Sequence, residues 1–79
     1  MIDEVKLKQI LALVEAEIRR TEKKYQPFHS MHEGLAIFEE EAYELKLEVY
    51  KSTQSIGKVT HEAVHAAAMA IRIIYDIRG

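Results

Sequence analysis

The stretch from Ala63 to Ile77 constrains the fold more than any other part of the chain. Ala63, Val64, Ala66, Ala67, Ala68, Ala70, Ile71, Ile74 and Ile77, wound at 3.6 residues per turn, cover most of a helix circumference. A helix that is apolar almost all round has to be buried almost all round. With 79 residues and no cysteine, the chain has neither the bulk nor the disulfides to enclose such a helix alone. The expectation is an all-α fold in which a three-helix protomer completes its core in a homo-oligomeric helical bundle, a homodimer or homotetramer. Residues 1–79 form one domain, since the length leaves no room for a second.

Periodicity places the other two helices. The first runs from about Ile2 to Tyr25, with Leu7, Ile10, Leu11, Val14, Ile18 and Tyr25 on one stripe and Glu4, Lys8, Glu15, Arg19 and Glu22 on a solvated one. Pro27 stops it, because the residue before proline avoids the α region. Ser30-Met-His-Glu33 reads as a capping box opening the second helix, which runs to about Lys51 with Leu35, Phe38, Ala42, Leu45 and Val49 as its seam. Ser52 to Gly57 reads as a loop, and Thr60 as the cap of a third helix ending near Arg78.

Charge narrows the function classes. Eleven basic against thirteen acidic residues give a net charge of −2, which excludes a basic nucleic-acid footprint and a polybasic membrane anchor. The longest apolar run, Ala66 to Ile71, is far too short to span a bilayer. The acidic start Met-Ile-Asp-Glu is unlike a secretory signal, so the expected location is the cytoplasm, with no nucleic acid and no membrane among the partners.

Two polar stripes interrupt the apolar surface. Glu41, Glu44 and Glu48 share an arc about 60° wide that also holds Ile37. It is either a solvated acidic face or a set of oxygen ligands for Mg²⁺ or Mn²⁺, whose charge would offset the repulsion. Glu39 and Glu40 fall outside this arc as surface residues, Glu40 being near enough to support a site. On the third helix Glu62, His65, Met69, Arg72 and Asp76 advance by three or four residues along one side. If the stripes face each other, carboxylates converge with a histidine and an arginine suited to phosphate.

Glu40-Glu41-Ala-Tyr-Glu44 followed by Glu62-Ala-Val-His65 resembles the EExxE…ExxD pattern of the MazG-like, all-α nucleoside triphosphate pyrophosphohydrolases. Phe28-His-Ser-Met-His-Glu-Gly34 and the Ala-Ala-Met-Ala-Ile-Arg72 run resemble small phage and prokaryotic members, so the likeness covers about residues 28–76. It implies a Mg²⁺-dependent enzyme, Mn²⁺ being the alternative ion, that splits a nucleoside triphosphate into monophosphate and pyrophosphate. Glu41, Glu44 and Glu62 would be catalytic metal ligands, and His65 stands where the pattern has an aspartate. Arg72, His32 and Lys58 would contact the substrate; Ser30 and Glu33 would line the nucleotide pocket, or serve only as the capping box. Two other readings stay open. A Glu on one helix with Glu-x-x-His on another, doubled by a two-fold axis, is the ligand set of carboxylate-bridged di-iron bundles. A non-catalytic helical oligomer with solvated acidic stripes is the third.

Overall fold

The computed structural model describes residues 1–24 and 26–78. They form three helices and no strand: α1 (Glu4–Lys24), α2 (Met31–Val49) and α3 (Ile56–Arg78). Tyr25, expected on the α1 stripe, lies outside the described residues.

Local chemistry sets the helix starts. Asp3 caps α1: its carboxylate accepts the Lys6 N–H at 3.0 Å and its carbonyl the Leu7 N–H at 2.9 Å. The helix therefore begins two residues later than expected. Ser30 caps α2 by accepting the Glu33 N–H at 3.1 Å, while the Glu33 carboxylate reaches back to the His29 N–H at 2.9 Å, one residue beyond the usual capping-box partner. The α2 ladder stops at Val49, before the expected Lys51, with Tyr50 as C-cap. The start of α3 is a larger correction. Ser55, not Thr60, is the cap: its carbonyl accepts the Val59 N–H at 2.9 Å and its hydroxyl the Lys58 N–H at 3.3 Å. Ile56 and Gly57, expected in the loop, belong to the first turn, and Thr60 lies inside the helix.

α3 packs against both other helices, whereas no Cα of α1 comes within 8 Å of α2 among the described residues. The chain is thus an open V with α3 as its floor. Its radius of gyration is 13.6 Å, against about 11.6 Å for a compact chain of this length. The core is small, with Val14, Ala68 and Met69 at its centre and Ile18, Phe28, Ile37, Phe38, Val64 and Ala67 packed round them. The α1 stripe is buried only in part: Val14 is enclosed and Leu7 and Ile18 half-buried, but Ile10 and Leu11 are exposed. On α3 the inward side is the polar stripe, with Met69 and Arg72 buried and Glu62, His65 and Asp76 half-buried. Ile71, Ile74, Tyr75 and Ile77 face outward.

At Gly34, α2 lies against Ile73 of α3 and the ring of Phe28 in the linker. A Cβ there would lie 2.8 Å from Phe28 Cδ2 and 2.9 Å from Ile73 Cγ1, so only glycine allows this approach. The linker is tied to α3 from the other side, the Phe28 N–H donating to the Asp76 carboxylate at 3.0 Å and Arg72 to the Gln26 carbonyl at 3.2 Å.

Candidate metal centre

The opening of the V is a cleft of about 500 Å³. Glu17 and Arg20 of α1, Ile37 and Glu41 of α2, and His65 and Arg72 of α3 are among its walls. The helical period of each element brings these groups together. Glu17 follows Val14 by three residues on the α1 face that continues to Thr21, and Glu41 follows Ile37 by one turn of α2.

One ligand atom each of Glu41, Glu62 and His65 lies within 4.8 Å of the others. Glu41 Oε2 and Glu62 Oε2 are buried and, among the described residues, accept no hydrogen bond. His65 Nδ1 is 3.5 Å from Glu41 Oε2, close enough for charge attraction but too long to count as a hydrogen bond. On the other side of the ring, Nε2 is 3.4 Å from Glu17 Oε2. The imidazole is therefore sandwiched between carboxylates of two helices.

These carboxylates have opposite electrostatic settings. Burial, the largest cause, and the neighbouring Glu44 charge push the Glu41 carboxyl above the usual range, against the pull of His65. Glu17 is pulled below that range, chiefly by its hydrogen bonds from Arg20 at 2.8 and 2.7 Å, with His65 and His61 assisting and burial opposing.

The other residues singled out in the sequence fall elsewhere. Glu44 is exposed beside Glu41 and outside the ligand cluster. Glu48 is half-buried but paired with Lys51 at 2.6 Å. The acidic arc splits in this way because α3 covers only one edge of it. Arg72 is 6% exposed. Its guanidinium is held by the Gln26 carbonyl, lies 3.9 Å from Asp76 and stacks 4.8 Å from the Phe28 ring, so it lines the cleft as an anchored group and not as an open fork. His32 and Lys58 are exposed and do not line the cleft. The capping bonds of Ser30 and Glu33 occupy both side chains, although Glu33 also borders the cleft.

Glu17 was not among the residues expected in the site. Its signal was a carboxylate between Val14 and Thr21, in line with the buried face of α1.

A cation fits the Glu41, Glu62 and His65 group. Octahedral Mg²⁺ with bonds of about 2.1 Å holds adjacent ligand atoms about 3 Å apart and opposite ones about 4.2 Å apart, so the side chains, now within 4.8 Å of one another, would have to draw together round it. Two buried carboxylate oxygens that accept no hydrogen bond are the donors such an ion takes. No protein-family model matches this chain, and neither does any curated protein or solved structure.

Proposed function

We propose that this chain is a metal-dependent nucleoside triphosphate pyrophosphohydrolase of the MazG-like kind, working as a homo-oligomer. The observation that carries this reading is the pair of buried oxygens of Glu41 and Glu62 that accept no hydrogen bond, beside His65, with Glu41 and His65 on the wall of a cleft that also holds arginines. Leaving two such acceptors unsatisfied costs roughly 1–3 kcal/mol each, a penalty that a cation removes. In this role Glu41, Glu62 and His65 hold Mg²⁺ or Mn²⁺, and Glu44 adds negative charge from the rim. The bound ion would neutralise the triphosphate and the charge that builds up during P–O cleavage. Arg20 and Arg72 make the cleft attractive to phosphate, and the Phe28 ring gives its floor an apolar surface for a base. Glu17 positions His65 from the α1 side.

The oligomer is supported by surface area. The chain exposes 6448 Å², whereas a folded monomer of 9.1 kDa exposes about 4,900 Å². The excess, roughly 1,500 Å² per chain, would give a dimer an interface of obligate size. Exposed Leu35, Tyr43 and Leu47 on α2, with Ile71, Ile74 and Tyr75 on α3, supply the apolar surface.

The test is pyrophosphate release from a panel of ribo- and deoxynucleoside triphosphates with Mg²⁺ or Mn²⁺. Turnover by wild type and its loss in Glu62→Gln are expected. No turnover with either ion rejects the enzymatic reading. A stable 9 kDa monomer by light scattering at micromolar concentration rejects the oligomer.

A further inference from the structure

α1 carries one apolar stripe, and only half of it is covered. Leu7, Leu11, Val14, Ile18 and Thr21 advance by four and three residues in turn, the spacing of a seam that lies along another helix. From Val14 onward α3 is that helix: Val14 and Thr21 are buried and Ile18 packs against the core. Before Val14 the stripe opens to water. Leu7 is half-buried, Leu11 is 54% exposed and Ile10 beside it 45%. Leu13 shares a groove with Gly57 and Thr60, in the first turns of α3, so residues 4–12 form an arm, about 13 Å long, that leads off the end of α3.

We propose that this arm pairs with the same arm of a second copy of the chain, antiparallel about a two-fold axis, with Leu7, Ile10 and Leu11 of each in the seam. An isologous contact uses one patch for both sides, and a seam of this spacing suits a helix of the same repeat. The side-chain charges on the arm, Asp3 and Glu4 against Lys6 and Lys8, cancel, so two copies meet without net repulsion.

Surface area and helix direction select this occupant. The excess of roughly 1,500 Å² per chain is room for two interfaces of the standard size, about 800 Å² on each partner. The α2–α3 surface proposed above supplies one of them, and the arm, on a third helix, supplies the other. α1 runs in the same direction as α3: Glu17 stands beside His65, and Gln26, beyond the end of α1, accepts from Arg72. A parallel copy of α1 laid on the arm would therefore continue into the space that α3 fills. An antiparallel copy ends at the start of α3 and leaves that space alone. The pairing needs neither nucleotide nor metal, so it stands apart from the enzymatic reading.

The test joins particle mass, by light scattering of the full chain at micromolar concentration, to disulfide capture, for which a cysteine-free chain is suited. Leu11→Glu sets a charge in the seam and should lower the particle mass by at least half. Leu11 is exposed in the single chain, so circular dichroism of this variant should keep the wild-type helix content. Ile74→Glu, in the α2–α3 surface, should leave the arm-paired dimer. For capture, Leu7→Cys, Ile10→Cys and Leu11→Cys are oxidised one at a time. Antiparallel helices bring equivalent residues into disulfide range, about 4.4–6.8 Å between Cα atoms, only near the two-fold axis. Covalent dimer is therefore expected at one or two of these positions, and none at Gln9→Cys, on the opposite side of α1. Wild-type mass in Leu11→Glu overturns the pairing, as does a monomeric wild type. No covalent dimer at any of the three positions also overturns it, and so does equal dimer at all three, the mark of a parallel pair. If Leu11→Glu halves the mass while Ile74→Glu changes nothing, the arm pairing holds and the α2–α3 surface is the one rejected.

Discussion

Replacing Gly34 by alanine isolates the contact that joins α2 to α3. In an exposed helix the change would be favourable by about 1 kcal/mol, from propensity alone. Here the new methyl meets Phe28 at 2.8 and 3.2 Å and Ile73 at 2.9 Å. Phe28 cannot retreat cheaply, since its N–H is bonded to Asp76 and its ring lies under Arg72. Overpacking of this kind costs about 1–3 kcal/mol, so the net expectation is a loss of up to about 2 kcal/mol. For a domain of this size each kcal/mol moves Tm by about 4–8 °C. Thermal melts followed by circular dichroism, at one fixed protein concentration, measure the change. The mechanism is checked by a double-mutant cycle with Phe28→Ala, which removes the atoms of closest approach. The Gly34→Ala penalty should shrink there by at least about 0.5 kcal/mol. A Gly34→Ala chain that melts above wild type, or a penalty unchanged by Phe28→Ala, refutes the close approach as the reason for glycine.

Five further outcomes are expected. Gly57→Ala, whose methyl would meet only Ser55 Oγ at 3.8 Å, should raise stability by roughly 0.5–1 kcal/mol in the same melts, the opposite sign to Gly34. Asp76→Ala removes the acceptor of the Phe28 N–H and should cost about 1–3 kcal/mol by denaturant titration. Raised in the folded chain, the Glu41 pKa gives stability that is complete below the unfolded value and lost as pH rises through the folded one. Glu41→Gln without added cation should therefore melt above wild type at neutral pH, and the difference should fade as pH drops through the carboxylate range. Glu17 is lowered and has the opposite sign: Glu17→Gln should melt below wild type at neutral pH, with the gap closing in acid. At ten times Kd, Mg²⁺ should stabilise wild type by about 1.4 kcal/mol; Glu62→Gln should lose this shift, and exposed Glu44→Gln should keep most of it.

The helices were legible because each has a periodic face and few breakers, and because Pro27 and the Ser30–Glu33 pair punctuate the first turn region with plain chemistry. The α3 start is not legible because Gly57 resembles the end of a loop, while a serine two residues earlier has the better-placed hydroxyl. In the site, the Glu62–His65–Arg72 stripe was readable as polar residues on an apolar helix, and those residues do point inward. Which glutamates of α2 would join it was not readable. Glu41, Glu44 and Glu48 are alike in sequence, and only the edge of α2 that α3 covers distinguishes them. His32 and Lys58 looked apt by charge, but each sits in a first helical turn directed away from the cleft. Glu17 was not legible because a carboxylate between Val14 and Thr21 takes its place at the cleft only once α1 docks on α3.

The lack of contact between α1 and α2 has a kinetic consequence. α2 and α3 are joined by a short loop and pack along their length, so they form an early, local hairpin, whereas α1 adds its contacts across a long chain separation. α1 is accordingly the segment that detaches first under native conditions, and its amides should exchange with solvent at a lower opening free energy than those of α3. Glu17 leaves with it. Any ligand that bridges Glu17 and His65 must therefore slow α1 amide exchange, and α1 undocking sets a ceiling on how long such a ligand stays bound.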